Sequence, residues 1–224
     1  MAEYTAYFKG EWMPFSQVKI DPMDRGFTVG DVVFDVARTF NGKSFRMEDH
    51  IQRLYRSLKF VRIDPGLSAK EMLDISEEVV QRNDHLRAEV GDFTITQFVT
   101  RGPGSSSRSA GPPAVCVKVA PIGFGRFADL FKDGAHGVIT RTRSYPVESL
   151  DPKVKNYSRM NFNLADLEAA DVDPEAWPIL TDADGSLTEG TGYNVFLVTD
   201  GVIRTPGDRN ILQGVSRGMV FDLA

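Results

Sequence analysis

The chain is poor in the residues that staple small folds or hold metals. Its 224 residues include one cysteine, Cys116, which excludes an intramolecular disulfide framework and is compatible with a reducing compartment. Three histidines, His50, His85 and His136, stand far apart without metal-ligand spacing, so no metal site is expected. No apolar run approaches the length of a membrane-crossing helix. The start, Met1-Ala-Glu-Tyr-Thr-Ala-Tyr7, lacks the basic and apolar regions of a secretion signal. Positive charge is also short, with 26 Lys and Arg against 31 Asp and Glu. The resulting net charge of −5 argues against a nucleic-acid surface. What is present, 42% hydrophobic and 25% charged residues, is ordinary for a globular protein that buries a core unaided. The expected setting is the cytoplasm.

Turn signals divide the chain. Thr5 to Phe8 and Glu11 to Phe15 flank Lys9-Gly10 and read as a hairpin. Asp24 to Gly30 is a glycine-marked bend. The run from Val32 to Phe40 turns at Asn41-Gly42 into Lys43 to Arg46, the strongest hairpin signal in the sequence. Helical spacing follows from Met47 to Phe60, with Met47, Ile51, Leu54, Tyr55 and Leu58 on one face, and Asp64-Pro65-Gly66 after it. Ser68-Ala-Lys-Glu71 is a capping-box spacing that opens a second helix to about Gln81. Phe93 to Thr100 and Ala114 to Ala120 read as paired strands around a Gly/Ser/Pro-rich loop at 102–113. His136 to Arg143 reads as a strand and Asn163 to Ala170 as a helix. Strands and helices come in blocks, which predicts an α+β fold in two lobes. The predicted domains are 1–121, a connection at 122–133, and 134–224.

The chemistry gathers in the last third. Asp184-Gly185 and Asp200-Gly201 punctuate short apolar runs, and Glu189 sits between them beside Gly190 and Gly192, where backbone can approach a ligand. Gly214-Val-Ser-Arg217 reads as a helix start, and such a terminus suits a phosphate. Lys155 is the candidate nucleophile, with Lys153 as a possible cationic neighbour. Each feature alone has a plainer reading: a surface lysine, a hydrogen-bonded strand-end acid, a helix cap. Gly123-Phe-Gly-Arg-Phe-Ala128 matches a dinucleotide fingerprint only loosely, and Ser105 to Ser107 is loop rather than a nucleophile elbow.

Six motifs in register resemble the class IV aminotransferases, pyridoxal-phosphate enzymes of fold type IV. They are Asp24-Arg-Gly-Phe27, Phe34-Asp35 before Asn41-Gly42-Lys-Ser-Phe-Arg46, His50-Ile-Gln-Arg53-Leu54, Val154-Lys155-Asn156, Leu187-Thr-Glu189-Gly-Thr-Gly-Tyr-Asn194-Val-Phe196, and Leu212-Gln-Gly-Val-Ser-Arg217. The interval from Lys155 to Glu189, 34 residues (189 − 155), fits the family spacing.

The resemblance implies a two-lobed fold and a catalytic Lys155 that binds the cofactor covalently and shuttles a proton. It implies that Glu189 sits on the pyridine nitrogen and that Arg53 grips the phosphate with a bidentate fork. Val215 and Ser216 would offer backbone N–H groups to that phosphate, and His50 would support Arg53. Phe34, Arg38 and Arg108 are the implied substrate-side residues. Tyr157 is a candidate for the tyrosine that some members place near the cofactor oxygen. The implied partners are an amine donor, a 2-oxo acid acceptor and a second copy of the chain in a homodimer.

Two departures from the family pattern stand out. The chain stops at Asp222-Leu-Ala224, inside its last helix, so the C-terminal part is expected to be incomplete relative to the family. Branched-chain enzymes favour Phe-Glu-Gly-x-Arg where this chain has Phe34-Asp-Val-Ala-Arg38. Arg38 keeps that pattern open, but Val99-Thr-Arg-Gly102 leading into the 102–113 loop with Arg108 resembles the D-amino-acid and (R)-amine transaminases, which favours D-amino acids or (R)-amines as donors. A branched-chain L-amino-acid aminotransferase, an aminodeoxychorismate-type lyase and an inactive binding homologue are the alternatives.

Overall fold

A computed structural model describes residues 3–224. The chain divides into two compact units, one of residues up to Gly123 plus Lys155–Ser158, the other of Phe124–Val154 and Arg159–Ala224.

In the first unit, β1 (Thr5–Phe8), β2 (Glu11–Pro14), β3 (Val32–Phe40), β4 (Lys43–Ser44), β5 (Phe93–Thr100) and β6 (Ala114–Pro121) form one antiparallel sheet. Its order is β2-β1-β6-β5-β3-β4. The two expected hairpins are present. At the β3–β4 turn, Asn41 and Gly42 both take positive φ, 51° and 76°, the conformation that suits a tight right-twisted hairpin. The Asp24–Gly30 bend is a one-turn helix, α1 (Arg25–Val29), because the Asp24 carboxylate caps Gly26 N–H and Gly30 closes it in the left-handed region.

Helix α2 (Met47–Val61) buries Met47, Ile51, Leu54 and Leu58, as its spacing predicts. It ends at left-handed Arg62, two residues before Asp64-Pro65-Gly66. Helix α3 (Ala69–Asn83) opens with the complete Ser68/Glu71 capping box and buries Met72, Val79 and Val80. It packs against β5, whose Phe93, Ile95 and Val99 are fully buried. A short helix, α4 (Arg87–Val90), precedes β5.

Residues Lys155–Ser158, expected with the second domain, belong to the first unit for a backbone reason. Beside the N-terminal half of β3, Phe34 N–H donates to Lys155 O at 3.0 Å and Tyr157 N–H donates to Val32 O at 3.2 Å. The Val33–Asn156 bridge between them is antiparallel. A bridge of this length leaves no pattern in the sequence.

In the second unit, α5 (Gly125–Ala128) and α6 (Leu130–Asp133) occupy most of the stretch expected to be a bare connection; one-turn helices are too short to show periodicity. β7 (Gly137–Ile139) is shorter than expected and pairs in parallel with β8 (Trp177–Ile179), joined through α7 (Met160–Val172). β9 (Leu197–Thr199) and β10 (Val202–Arg204) form the Asp200-Gly201 hairpin, and α8 (Val215–Leu223) follows. Among the described residues no helix is long and apolar enough to cross a membrane.

Candidate active site

Alternation along β3 assigns its side chains to two faces. Phe34, Val36 and Arg38 share one; Val33, Asp35 and Ala37 share the other. Lys155 lies on the Phe34 side. Its Nζ is 4.7 Å from the Phe34 ring centroid, within cation–π range, and the Tyr157 ring stacks on Phe34 at 4.2 Å between centroids. The peptide of Lys155 is held at both ends: its N–H donates to Ser57 Oγ at 3.1 Å and its carbonyl accepts from Phe34 N–H. Lys153 instead pairs with Asp151 at 2.9 Å, so the geometry distinguishes the two lysines. Arg38 is half-buried, with its guanidinium 3.8 Å from the Phe40 ring centroid and its Nε donating to Thr39 O.

On the opposite face of β3, Asp35 is fully buried. It accepts from Arg53 Nε and Nη2, both at 2.8 Å, and lies 2.7 Å from His50 Nδ1. Burial, the largest influence, pushes this carboxyl up. The hydrogen bonds and charges of His50 and Arg53 push it down and prevail, holding it below the usual carboxylate value. This differs from the expected bidentate fork on a phosphate: the Nε and Nη2 edge of Arg53 lies on Asp35. Asp35 was assigned no role in the sequence. Its signal is a lone acid inside an apolar strand, followed by a helix carrying His50 and Arg53 three residues apart.

Arg108 is exposed on the 102–113 loop. The loop is tied at Ser107, whose Oγ accepts from Arg25 Nη2 at 3.1 Å. At its base, Arg101 forms two hydrogen bonds to Asp31.

The second unit supplies a carboxylate and a helix terminus. Glu189, 8% exposed, accepts at Oε2 from Leu212 N–H at 3.0 Å and from Asn194 Nδ2 at 3.3 Å. The same Asn194 amide donates to Leu212 O at 3.0 Å, so one side chain ties the acid to the residues that lead into α8. Gly214 caps α8 without a side-chain bond. Any side chain there would meet Asn194 Oδ1, 2.1 Å from the position of a Cβ. The first turn begins at Val215 and Ser216, whose N–H groups precede the first intrahelical bond, Gly218 N–H to Gly214 O. Arg217 anchors the approach through Asp208 and Pro206 O. A separate cleft of about 790 Å³, lined by Phe127, Asp166, Trp177, Gly192 and Tyr193 among others, holds none of the expected catalytic, cofactor or substrate side chains.

The first unit thus presents an amine over an aromatic ring, and the second a buried, oriented acid and a helix start without a side-chain cap. The chain belongs to amino-transferase class IV, whose family model matches residues 32–224. It is 35% identical over 227 residues to the putative branched-chain-amino-acid aminotransferase of Methanocaldococcus jannaschii, covering 97% of this chain and 74% of that protein. The D-alanine aminotransferase of Staphylococcus aureus strain N315 is 27% identical over 221 residues, with coverage of 97% and 74%. The branched-chain aminotransferase from Thermoproteus uzoniensis shares the fold at a TM-score of 0.89 and 24% identity, over 100% of this chain and 75% of that one.

Proposed function

We propose that this class IV aminotransferase uses pyridoxal phosphate to move an amino group from a D-amino acid or (R)-amine to a 2-oxo acid, in two half-reactions. The observation that carries the reading is the placement of Lys155 Nζ over Phe34, on the β3 face shared with Val36 and Arg38.

The residues present fit the cofactor. In the proposal Lys155 would hold the cofactor through its amine until the donor's amine takes its place, and Glu189 would face the ring nitrogen, with Leu212 N–H and Asn194 fixing its other contacts. Val215 and Ser216 N–H and the Arg53 side chain would hold the phosphate. Bound pyridoxal phosphate supplies an electron sink that acidifies the Cα–H of the donor. Lys155 Nζ then takes that proton and hands it on. Arg38 and Arg108 meet a substrate carboxylate. A homodimer and a cytoplasmic setting accompany the reading as expectations.

Preference for the D or (R) hand rests on Val36. Branched-chain enzymes favour glycine at this place, whereas here a branched side chain shares the Phe34 face and takes up room. The second reading, a branched-chain L-amino-acid aminotransferase, is favoured by the Methanocaldococcus relative. It is also helped by Asp35: the replacement of Glu by Asp lies on the Arg53 side of β3 and leaves the Phe34 face as it is.

Two measurements test the proposal. Borohydride reduction and peptide mapping are expected to find the cofactor on Lys155; label on Lys153 overturns the assignment. Rates with paired enantiomers and pyruvate or 2-oxoglutarate are expected to favour a D-amino acid or (R)-amine. Faster conversion of L-leucine or L-valine decides for the second reading, and pyruvate release without amine exchange decides for a lyase.

A further inference from the structure

We infer that Ser57 is the residue that positions the reactive lysine. The inference rests on the reading of Lys155 given above. Ser57 lies inside α2, on a face otherwise filled by Leu54 and Leu58, and is 1% exposed. Apolar packing alone would be served by alanine at such a place. The hydroxyl donates to Arg53 O at 3.2 Å, a back-bond one turn away that contributes little to a helix by itself. Its acceptor side explains its presence. Lys155 N–H, 98 residues away in sequence, donates to Ser57 Oγ at 3.1 Å.

The consequence is geometric. Of the four residues Lys155–Ser158 that belong to the first unit, Lys155 is the first, and the chain before it, up to Val154, belongs to the second. Two bonds hold its peptide groups at this crossing, N–H to Ser57 Oγ and C=O to Phe34 N–H. Phe34 also supplies the ring beneath Nζ. With N–H and C=O both fixed, Cα is fixed, and the arc available to Nζ is centred on one point. Ser57 touches no substrate or cofactor in this account; it acts through the lysine backbone. Without the hydroxyl the Lys155 amide loses its partner, and the amine wanders about a less certain origin. Displacements near 1 Å in a reacting group can cost on the order of 10²-fold in rate.

The test uses the holoenzyme and its Ser57→Ala variant. Amide exchange followed by NMR is expected to show a slow Lys155 N–H in the unaltered protein and a markedly faster one in the variant. The amine half-reaction, measured in a single turnover, is expected to slow roughly 10- to 100-fold, while cofactor affinity moves by less than about 3-fold because the phosphate contacts are untouched. The inference is overturned if the unaltered Lys155 amide exchanges like an exposed loop, a result that needs no folded variant. It is also overturned if the variant reacts at the original rate, or if affinity falls as far as rate. Borohydride mapping separates the two failures: label on Lys155 in the unaltered enzyme keeps the functional reading when Ser57 fails, whereas label elsewhere removes both.

Discussion

Arg53 lies edge-on along Asp35, Nε on Oδ2 and Nη2 on Oδ1 at 2.8 Å each, with the carboxylate wholly out of water. A planar fork matched to a carboxylate is the geometry in which a buried ion pair recovers most of its desolvation cost. His50 completes the set at 2.7 Å. The arginine that the family resemblance assigns to the cofactor is therefore held in place before any ligand arrives.

Removing one member of this pair leaves the other charged and buried. Arg53→Leu and Asp35→Leu are each expected to lose about 3–5 kcal/mol of stability. The double variant is expected to recover much of that loss and yet to bind cofactor as poorly as Arg53→Leu. Denaturant titrations of the four proteins, with cofactor titration beside them, make the comparison. Single variants as stable as the parent would remove the pair from the fold's energetics. Recovery of cofactor affinity in the double variant would remove Arg53 from the phosphate.

The pair also sets a pH dependence. The Asp35 carboxyl titrates below its ordinary value of 3.8 in the folded chain. A depressed folded value means its contribution is complete above 3.8 and is lost as pH falls through the folded value. Other carboxylates, Asp92, Glu168 and Asp182 among them, are lowered too, so the diagnostic quantity is a difference. The stability gap between the parent and Asp35→Asn is expected to be constant near neutrality and to shrink on acidification below the ordinary carboxylate range. A gap that widens towards acid would contradict the assignment.

How much of this was legible in the sequence varies with the physical scale of the signal. Local rules were read directly: the Asn41-Gly42 hairpin, the Ser68/Glu71 capping box and the apolar face of α2 all depend on neighbours within one turn. Glu189 beside glycines and the Gly214 helix start were found the same way. Asp35 and Ser57 were not, because their meaning lies in partners brought together by the fold: Arg53 across the sheet–helix layer and Lys155 from 98 residues away. The transfer of Lys155–Ser158 to the first unit was equally hidden, since a few backbone bonds have no residue signature. The family resemblance placed Arg53 near the phosphate but said nothing of the carboxylate that holds its fork.

Asn194 and Gly214 leave no room for a side chain between them. A Cβ on Gly214 would stand 2.1 Å from Asn194 Oδ1, so Gly214→Ala must displace the asparagine or the start of α8. Asn194 also holds Glu189 and Leu212, and one methyl therefore disturbs the buried acid and the helix terminus together. Cofactor affinity is expected to fall at least tenfold, about 1.4 kcal/mol. The nearby Gly218→Ala, whose added methyl meets nothing within 4 Å, is expected to bind normally. Equal affinities in the two variants would show that the Gly214 contact relaxes without consequence for the site.

The proposed hand of the substrate is tested at two side chains. Val36 stands beside Phe34 and Arg38 on the face that carries Lys155, and Arg108 is exposed on the loop tied at Ser107. A few methyl-sized groups in a pocket shift substrate preference by roughly 10- to 200-fold, the scale of discrimination that packing alone supplies. Val36→Gly is therefore expected to raise conversion of L-leucine relative to a D-amino acid by about tenfold or more, mainly by admitting the branched side chain. Arg108→Ala is expected to slow D-amino acids while sparing (R)-amines, which lack the carboxylate that a guanidinium would grip. Specificity constants on paired enantiomers for the three proteins test both statements. If Val36→Gly leaves the L-to-D ratio unchanged, the valine does not shape the pocket. If Arg108→Ala slows amines and amino acids alike, the loop arginine serves the fold rather than the carboxylate.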